Sequence, residues 1–229
     1  MGKPALRLVL TPDGDRNNQF SKDNCFVYTK VPTNQIANIH GIESLNFNLI
    51  DTNLTYEIPI NQMPQQFNVP DGYSIRFARP DDRKEIGDIS ENNFRFSRFH
   101  LDPSVGTKTA NQIKRAWAEN YFNAKRGDFM VVAVADQHPV GFTQVLHSGD
   151  MLTIDLIAVQ SSYHGQGLGG AMISFLSSRI QDKVESLKRI RVGTQISNLP
   201  SISLYEKMGF RIFSSEYVFH HHGKLKLES

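Results

Sequence analysis

The residues best suited to chemistry form a glycine-rich turn, His164-Gly165-Gln166-Gly167-Leu168-Gly169, after the apolar run Leu156 to Val159. A helix is predicted directly after the turn, because apolar residues recur every three to four positions from Leu168 to Leu187. Glycines let the backbone approach a bulky anion, and free amides at a helix start face it with the positive end of the helix dipole. The turn therefore predicts an anion site, with a tight structural turn as the alternative.

Two better-known phosphate-binding turns do not fit these residues. No Gly-Lys-Ser/Thr is present to reach a γ-phosphate, and the chain has no dinucleotide-binding glycine spacing near the start of a domain, where that fold carries it. The glycines leave room for an anion as large as a pyrophosphate, and a tight structural turn stays the alternative interpretation.

A second motif lies downstream, Asn198-Leu199-Pro200-Ser201-Ile202-Ser203-Leu204-Tyr205-Glu206-Lys207-Met208-Gly209-Phe210. With both motifs in this order, the chain resembles the GCN5-related N-acetyltransferase (GNAT) superfamily over residues 73 to 219. That family has an Arg/Gln-x-x-Gly-x-Gly/Ala turn after its fourth strand and an Asn…Leu-Tyr-Glu-Lys-x-Gly-Phe helix after its fifth. The chain departs from the pattern at His164, where the family usually has Arg or Gln.

The resemblance implies an acyl-coenzyme A (acyl-CoA) co-substrate, acetyl-CoA or a longer one, and residues to hold it. The backbone of Ile157 and Val159 would pair with the pantetheine arm, and Asn198 would contact the same arm. The pyrophosphate would bind at the turn, through the amides of Gly165, Gln166, Gly167, Leu168 and Gly169, with His164 at the position of the missing side-chain contact.

The resemblance also makes Tyr205 the general acid that protonates the departing thiolate. A phenol has a pKa of ~10 and a thiol one of ~8.5, so full proton transfer is uphill. A hydrogen bond from Tyr205 to the thiolate is therefore an alternative, and plain packing is another. Asp155 is the carboxylate on the strand before the turn, and it is either the general base for the amine or a local hydrogen-bond partner.

The acceptor is expected near Phe94-Arg95-Phe96-Ser97-Arg98-Phe99-His100-Leu101-Asp102-Pro103, between the first two helices of the GNAT region. Aromatic side chains with Arg95, Arg98 and His100 could stack a base and grip phosphates, although the aromatics could equally be core anchors. This segment resembles the corresponding stretch of TDP-fucosamine acetyltransferase and related enzymes that acylate dTDP-linked amino-deoxysugars. Residues 45–52 resemble a region in the small amino-terminal domain of the same enzymes.

His220-His221-His222 near the end of the chain could suggest a metal. In a strand His221 faces away from the other two, and no further ligand is evident nearby in the sequence. We therefore expect no metal, and we expect His220 to line the acceptor pocket.

The predicted fold is α/β, a GNAT fold with a mixed, mostly antiparallel sheet splayed between strands four and five and flanked by helices. Proline and Asp71-Gly72 in residues 59–72 indicate a linker, which gives a small α/β domain over residues 1–70 and a catalytic domain over 71–229. Glu43 to Phe47 resembles Glu206 to Phe210, so the first domain is interpreted as a degenerate, non-catalytic copy of half the fold. Phe210 to His220 is predicted to form a pair of strands.

Composition narrows the function classes. The chain has 229 residues, a net charge of +2 and one cysteine, which argues against a nucleic-acid binder and a disulfide framework. No apolar run is long enough for a membrane span, and no leader is recognised, so a cytoplasmic protein is expected.

The expected activity is acyl transfer to the amine of a dTDP-linked amino-dideoxysugar in surface-polysaccharide biosynthesis. The alternatives are acylation of another small amine or a protein, and an acyl-CoA-binding module without turnover. The sequence leaves the acyl chain, the sugar and the oligomeric state open, with a homodimer as the candidate assembly.

Overall fold

The computed structural model describes residues 5–7, 25–64, 68–181, 184 and 186–223. The described strands form one nine-stranded sheet in the order β1-β2-β9-β3-β8-β7-β6-β5-β4. Their bounds are β1 Ala5–Arg7, β2 Cys25–Pro32, β3 Asn48–Pro59, β4 Tyr73–Phe77, β5 Phe129–Ala135, β6 His138–Ser148, β7 Met151–Val159, β8 Arg189–Gln195 and β9 Arg211–Gly223. Among these strands only β1–β2 and β7–β8 pair in parallel, so the predicted mixed, mostly antiparallel sheet is confirmed.

Five α-helices connect the strands of the described chain: α1 Ile36–Ser44, α2 Arg83–Asn93, α3 Thr107–Phe122, α4 Leu168–Gln181 and α5 Leu199–Lys207. Short 3-10 helices lie at Ile60–Gln62, Pro80–Asp82 and Ser161–Tyr163. No helix in the described ranges is long and apolar enough to cross a membrane.

Helices cover both faces of the sheet, and each face is apolar where a helix packs on it. Helices α2 and α3 pack on the face that carries Met130, Val132 and Phe142. Helices α4 and α5 pack on the opposite face, against residues such as Val131 and Ile154. The alternation of buried side chains along β5 to β7 thus divides the protein into two apolar layers around the sheet.

The segment before residue 70 supplies strands to the middle of the sheet. Strand β3 lies between β8 and β9, and β9 lies between β2 and β3. The predicted pair of strands over Phe210 to His220 is therefore wrong, because β9 is a single continuous strand and β3 takes the place beside β8. The domain division at residue 70 stays a prediction, although the sheet itself continues across it.

The two strand–helix–strand connections β2-α1-β3 and β8-α5-β9 have similar geometry, and β3 and β9, the strands that end them, lie side by side. We call the position of β3 beside β8, where a second strand from the end of the chain was predicted, the strand exchange. In β2-α1-β3 the helix ends before Asn46, which has a φ of 58°, and in β8-α5-β9 it ends before Gly209, with a φ of 91°. Phe47 and Phe210 then enter the core beneath their own helices. This similarity supports the degenerate-copy interpretation, which stays a proposal.

Candidate functional site

A β-bulge in β7 opens the sheet beside β8. Val145 pairs with Ile154 and Gln144 with Leu156, so Asp155 is an extra residue in β7. Strand β8 pairs with β7 only from Met151 to Ile154. Residues 155–159 therefore pair with β6 alone in the described chain, and their other backbone edge is open toward β8. Strands β7 and β8 are the fourth and fifth strands from residue 73 onward, so the splay expected between strands four and five is confirmed.

The glycine-rich turn follows directly on this open edge. Gly165 and Gly167 have φ values of 78° and 75°, a conformation that favours glycine over residues with a side chain. In the described part of the chain, no backbone hydrogen bond outside helices and strands uses the amides of Gly165, Gln166 or Gly167. Since α4 begins at Leu168, these unused donors lie at a helix N-terminus, an arrangement suited to a pyrophosphate.

The other residues predicted at the turn are placed differently. The His164 Nε2–H donates to the carbonyl oxygen of Val159 over 2.8 Å, so His164 ties the turn to the end of β7. The side chain of Leu168 is buried, which leaves its backbone for a ligand. A Cβ on Gly169 would lie 3.1 Å from the Leu204 side chain, so Gly169 allows α4 and α5 to pack closely.

Asn198 caps helix α5 at the far side of the splay. Its Oδ1 accepts a hydrogen bond from the Ser201 amide at 3.4 Å, and its Nδ2 donates to Thr194 Oγ1 at 3.1 Å. The predicted contact with a pantetheine arm stays a prediction. The local role of Asn198 is to join the end of β8 to the start of α5.

Tyr205 lies inside the core, with 2% of its surface exposed, between Tyr56 and Phe210 at ring-centroid distances of 5.9 and 5.8 Å. Burial raises the pKa of the Tyr205 hydroxyl well above its ordinary value, and the Ser201 side chain only partly opposes this. A phenol with a raised pKa is a poorer acid. The environment therefore favours hydrogen-bond donation by Tyr205 over full proton transfer.

Asp155, at the bulge, is held by an arginine. Arg126 donates from Nε and Nη2 to the two carboxylate oxygens, each over 2.6 Å, and Gln144 Nε2 donates over 3.2 Å. The bond to Asp155 is also the main reason that the pKa of Arg126 is raised. Both carboxylate oxygens are thus engaged by Arg126, in the bidentate geometry of an ion pair that fixes an arginine in place. Asp155 is therefore better suited to position Arg126 than to act as a base.

Cations and aromatic rings extend from the bulge across the α3 face toward β2. Arg126 lies over the Trp117 ring at 5.5 Å, and Lys114 lies over the same ring at 4.9 Å. The guanidinium of Arg98 lies 3.7 Å from the Tyr28 ring centroid. We call Arg98, Lys114 and Arg126, with Tyr28 and Trp117, the cationic patch. Of its members, only Arg98 was predicted from the sequence.

The other residues predicted in the acceptor segment point elsewhere. Arg95 is exposed, and its Nη1 donates to the Phe94 carbonyl at 3.1 Å. His100 Nε2 donates to Asn111 Oδ1 at 2.8 Å, and its Nδ1 accepts from Ser97 Oγ at 2.6 Å. Burial lowers the pKa of His100, so the neutral ring closes this loop with both nitrogens occupied.

His220 is fully buried, and its partner is Asp102, which lies in the predicted acceptor segment but to which the sequence assigns no role. Its Nδ1 donates to Asp102 Oδ2 at 2.6 Å, and His222 Nε2 donates to the same oxygen at 2.7 Å. Burial lowers the pKa of His220 to about 4, so the ring is neutral. These three ligand atoms lie within 4.8 Å of one another, the arrangement of a candidate metal centre, while hydrogen bonds already join them. His221 instead contacts Asn46, on the α1 side.

Sequence comparison agrees with this geometry. The profile of the Acetyltransferase (GNAT) family matches residues 94–210. The chain is 27% identical over 197 residues to the spore coat polysaccharide biosynthesis protein SpsD of Bacillus subtilis (strain 168), covering 85% of this chain and 66% of SpsD. It is 26% identical over 164 residues to mycothiol acetyltransferase of Thermomonospora curvata, covering 70% of this chain and 52% of that protein. The chain thus spans about half to two thirds of the length of these relatives.

Solved structures show the same fold at low sequence identity. The GCN5-related N-acetyltransferase from Sphaerobacter thermophilus superposes with a TM-score of 0.62 at 13% identity, covering 90% of this chain and 62% of that chain. A tandem GNAT protein from the clavulanic acid biosynthesis pathway also gives 0.62, at 15% identity, covering 88% and 65%. The family profile covers just over half of the 229 residues. The matched range includes the β7 bulge, the splay between β7 and β8, and the glycine-rich turn. The chain belongs to the GNAT family of acetyltransferases.

Proposed function

We propose that this chain is an acyl-CoA-dependent N-acyltransferase. The open edge of residues 155–159 offers the pantetheine arm a strand to pair with. The unused amides of Gly165, Gln166 and Gly167 offer donors to the pyrophosphate. Membership of the family supports acyl-CoA as the acyl donor, which would bind at these two places as a co-substrate.

We further propose that the acceptor is the amine of a dTDP-linked amino-dideoxysugar used in surface-polysaccharide biosynthesis. The observation that carries this proposal is the cationic patch, which combines guanidinium groups with the Tyr28 and Trp117 rings. Arginine binds phosphate through two parallel hydrogen bonds, and aromatic rings stack on a nucleobase. The role of SpsD in polysaccharide biosynthesis, as its name states, is in keeping with a sugar acceptor.

In the proposed reaction the acceptor nitrogen attacks the thioester carbonyl, the carbon–sulfur bond breaks, and CoA leaves as a thiolate. The acceptor ammonium must lose a proton before its nitrogen can attack, and the nitrogen loses a second proton when the amide forms. Because both oxygens of Asp155 are bonded to Arg126, these two protons pass to solvent. Tyr205 donates a hydrogen bond to the thiolate, which takes its proton from water. The Arg126–Asp155 pair borders the acceptor side of the bulge and keeps the Arg126 guanidinium in place.

A thiol-release assay tests this function. It would combine acetyl-CoA or a hydroxyacyl-CoA with a panel of dTDP-amino-dideoxysugars, the corresponding free amino sugars, and a peptide with a free amino terminus. We expect CoA release only with the dTDP-linked amines. Release with free sugars or the peptide alone would replace the sugar-nucleotide assignment, and CoA binding without any release would indicate a binding module.

Tyr205→Phe tests the role of the phenol within the same assay. Losing one preorganised donor to a developing anion lowers kcat by roughly 10²-fold, and CoA affinity measured by calorimetry should not change. Tyr56→Phe is the matched control, because it removes a hydroxyl from a ring that is 1% exposed and packed beside Tyr205. Equal kcat values in both variants would reduce Tyr205 to a packing residue.

A further inference from the structure

Lys114 is a buried cation whose charge nothing in the described chain balances directly. It lies on α3 with 8% of its surface exposed, and its Nζ is 4.6 Å from the Phe94 ring and 4.9 Å from the Trp117 ring. Among the described residues, no carboxylate lies within 4 Å of Nζ, and Nζ makes no hydrogen bond. Ring faces attract a cation, but they replace only part of its lost hydration.

The next residue along α3 shows how this chain treats a cation with a structural role. Arg115 forms ion pairs with Asp88, Glu91 and Glu119 at 2.7, 2.8 and 2.9 Å. Its pKa is raised accordingly, with the bond to Asp88 as the first cause. Lys114 is less exposed than Arg115 and yet has no carboxylate partner among the described residues, so a role in folding alone does not account for it.

The surroundings of Lys114 contain more positive than negative charge, because two arginines and only one carboxylate act on its ammonium. Asp155 attracts Lys114, but both of its carboxylate oxygens already accept hydrogen bonds from Arg126. Arg98 and Arg126 repel the ammonium, and His100 is near enough for its own pKa to respond to Lys114. Together with burial, which is the larger cause, this lowers the pKa of Lys114 to about 8. An anion arriving here would relieve both the lost hydration and the repulsion.

We propose that Lys114 binds a phosphate group of the acceptor, between the Phe94 and Trp117 rings and the Arg126–Asp155 pair. This rests on the proposed function in taking the cationic patch as the acceptor side of the site. Phosphate fits better than carboxylate, because its several oxygens can contact the ammonium and the neighbouring guanidinium groups together. Lys114 thereby selects acceptors that carry a phosphate, whatever their sugar.

Calorimetry with inorganic pyrophosphate tests this assignment. The protein is first saturated with CoA, so that the amides of the glycine-rich turn are occupied and the probe reports the second anion site alone. Malonate, a dianion with two carboxylates, serves as the carboxylate probe. Lys114→Met removes the ammonium and keeps most of the apolar stem. Lys108→Met makes the same change at an exposed position of the same helix.

We expect pyrophosphate to bind the CoA-saturated protein and malonate to bind at least tenfold more weakly. Lys114→Met should weaken pyrophosphate binding tenfold or more, Lys108→Met should leave it unchanged, and Lys114→Arg should keep it within about threefold. The Tm of Lys114→Met should equal or exceed that of the unaltered protein, since the variant no longer buries an unpaired charge. A loss of binding without a loss of stability separates a ligand contact from a structural one.

Equal pyrophosphate affinity in Lys114→Met and the unaltered protein would overturn the assignment, as would equal binding of malonate. If Lys114→Met does not fold, loss of binding in the folded Lys114→Arg variant would also count against it. The proposed function fails separately. Pyrophosphate bound through Lys114, in a protein that acylates no dTDP-amino sugar, would remove the sugar acceptor and keep the phosphate site.

Discussion

The ion pair between Arg126 and Asp155 decides whether Asp155 is an anchor or a base, and a double-mutant cycle with Asp155→Asn and Arg126→Gln separates these roles. The pair consists of two hydrogen bonds of 2.6 Å. A hydrogen bond to a charged group contributes about 1.5–3 kcal/mol. The Arg126 side chain is 40% exposed and that of Asp155 10%, so solvent screening reduces the total. We expect a coupling free energy of about 1–2 kcal/mol in urea denaturation.

Steady-state kinetics supply the second measurement. If Asp155 anchors Arg126, each single variant should raise the acceptor KM about tenfold, which corresponds to about 1.4 kcal/mol, and lower kcat less than that. The control is Asp150→Asn, which removes a 3.0 Å pair with Arg189 before β7 and should leave both constants unchanged. A kcat reduced 10²- to 10⁴-fold in Asp155→Asn alone, with loss of the acidic limb of the kcat–pH profile, would refute the anchor and restore the base.

Two further predictions concern the turn and the buried histidine. Gly167→Val should abolish measurable CoA binding in calorimetry, because the side chain fills the pyrophosphate's space, whereas Gly149→Val, with a φ of 58° and open space around it, should lose stability only. The pKa of His220 is about 4 in the fold against an ordinary 6.5, so the unfolded chain binds the extra proton between these values. The free energy of unfolding should therefore fall by up to about 3 kcal/mol from pH 6.5 to 4 in urea titrations. His220→Gln should flatten that slope, and the exposed His40→Gln should not; an unchanged slope in His220→Gln would contradict the assignment.

Local patterns were sufficient for one side of the site. The glycine-rich turn and the helix that carries Tyr205 are each formed by one run of consecutive residues, so the spacing within each run predicts its local structure. Lys114 could not be recognised in this way, because the helical period of α3 predicts its position but not that the described residues place no carboxylate opposite it. Asp102 and His220 are 118 residues apart, and no local period relates a loop carboxylate to a late strand.

The strand exchange was missed for the same reason. The prediction of a strand pair over Phe210 to His220 considers that segment alone, and the position of β3 beside β8 leaves no local signal in it. The positive φ of Asn46, after α1, is one residue-level trace of the similarity between the two crossings. Pairing partners in a sheet depend on the competition among all strands, which sequence periodicity does not record.

The interleaving of β2, β9, β3 and β8 also constrains how the chain reaches its folded state. Strand β9 has to enter between two strands made much earlier, and Thr33 meets Ser215 across 182 residues of sequence. Contacts this distant slow folding, because the intervening chain loses loop entropy before they form. On the ribosome, β2 and β3 must wait with unpaired edges until β9 emerges, a stage at which strands are open to aggregation and to chaperones.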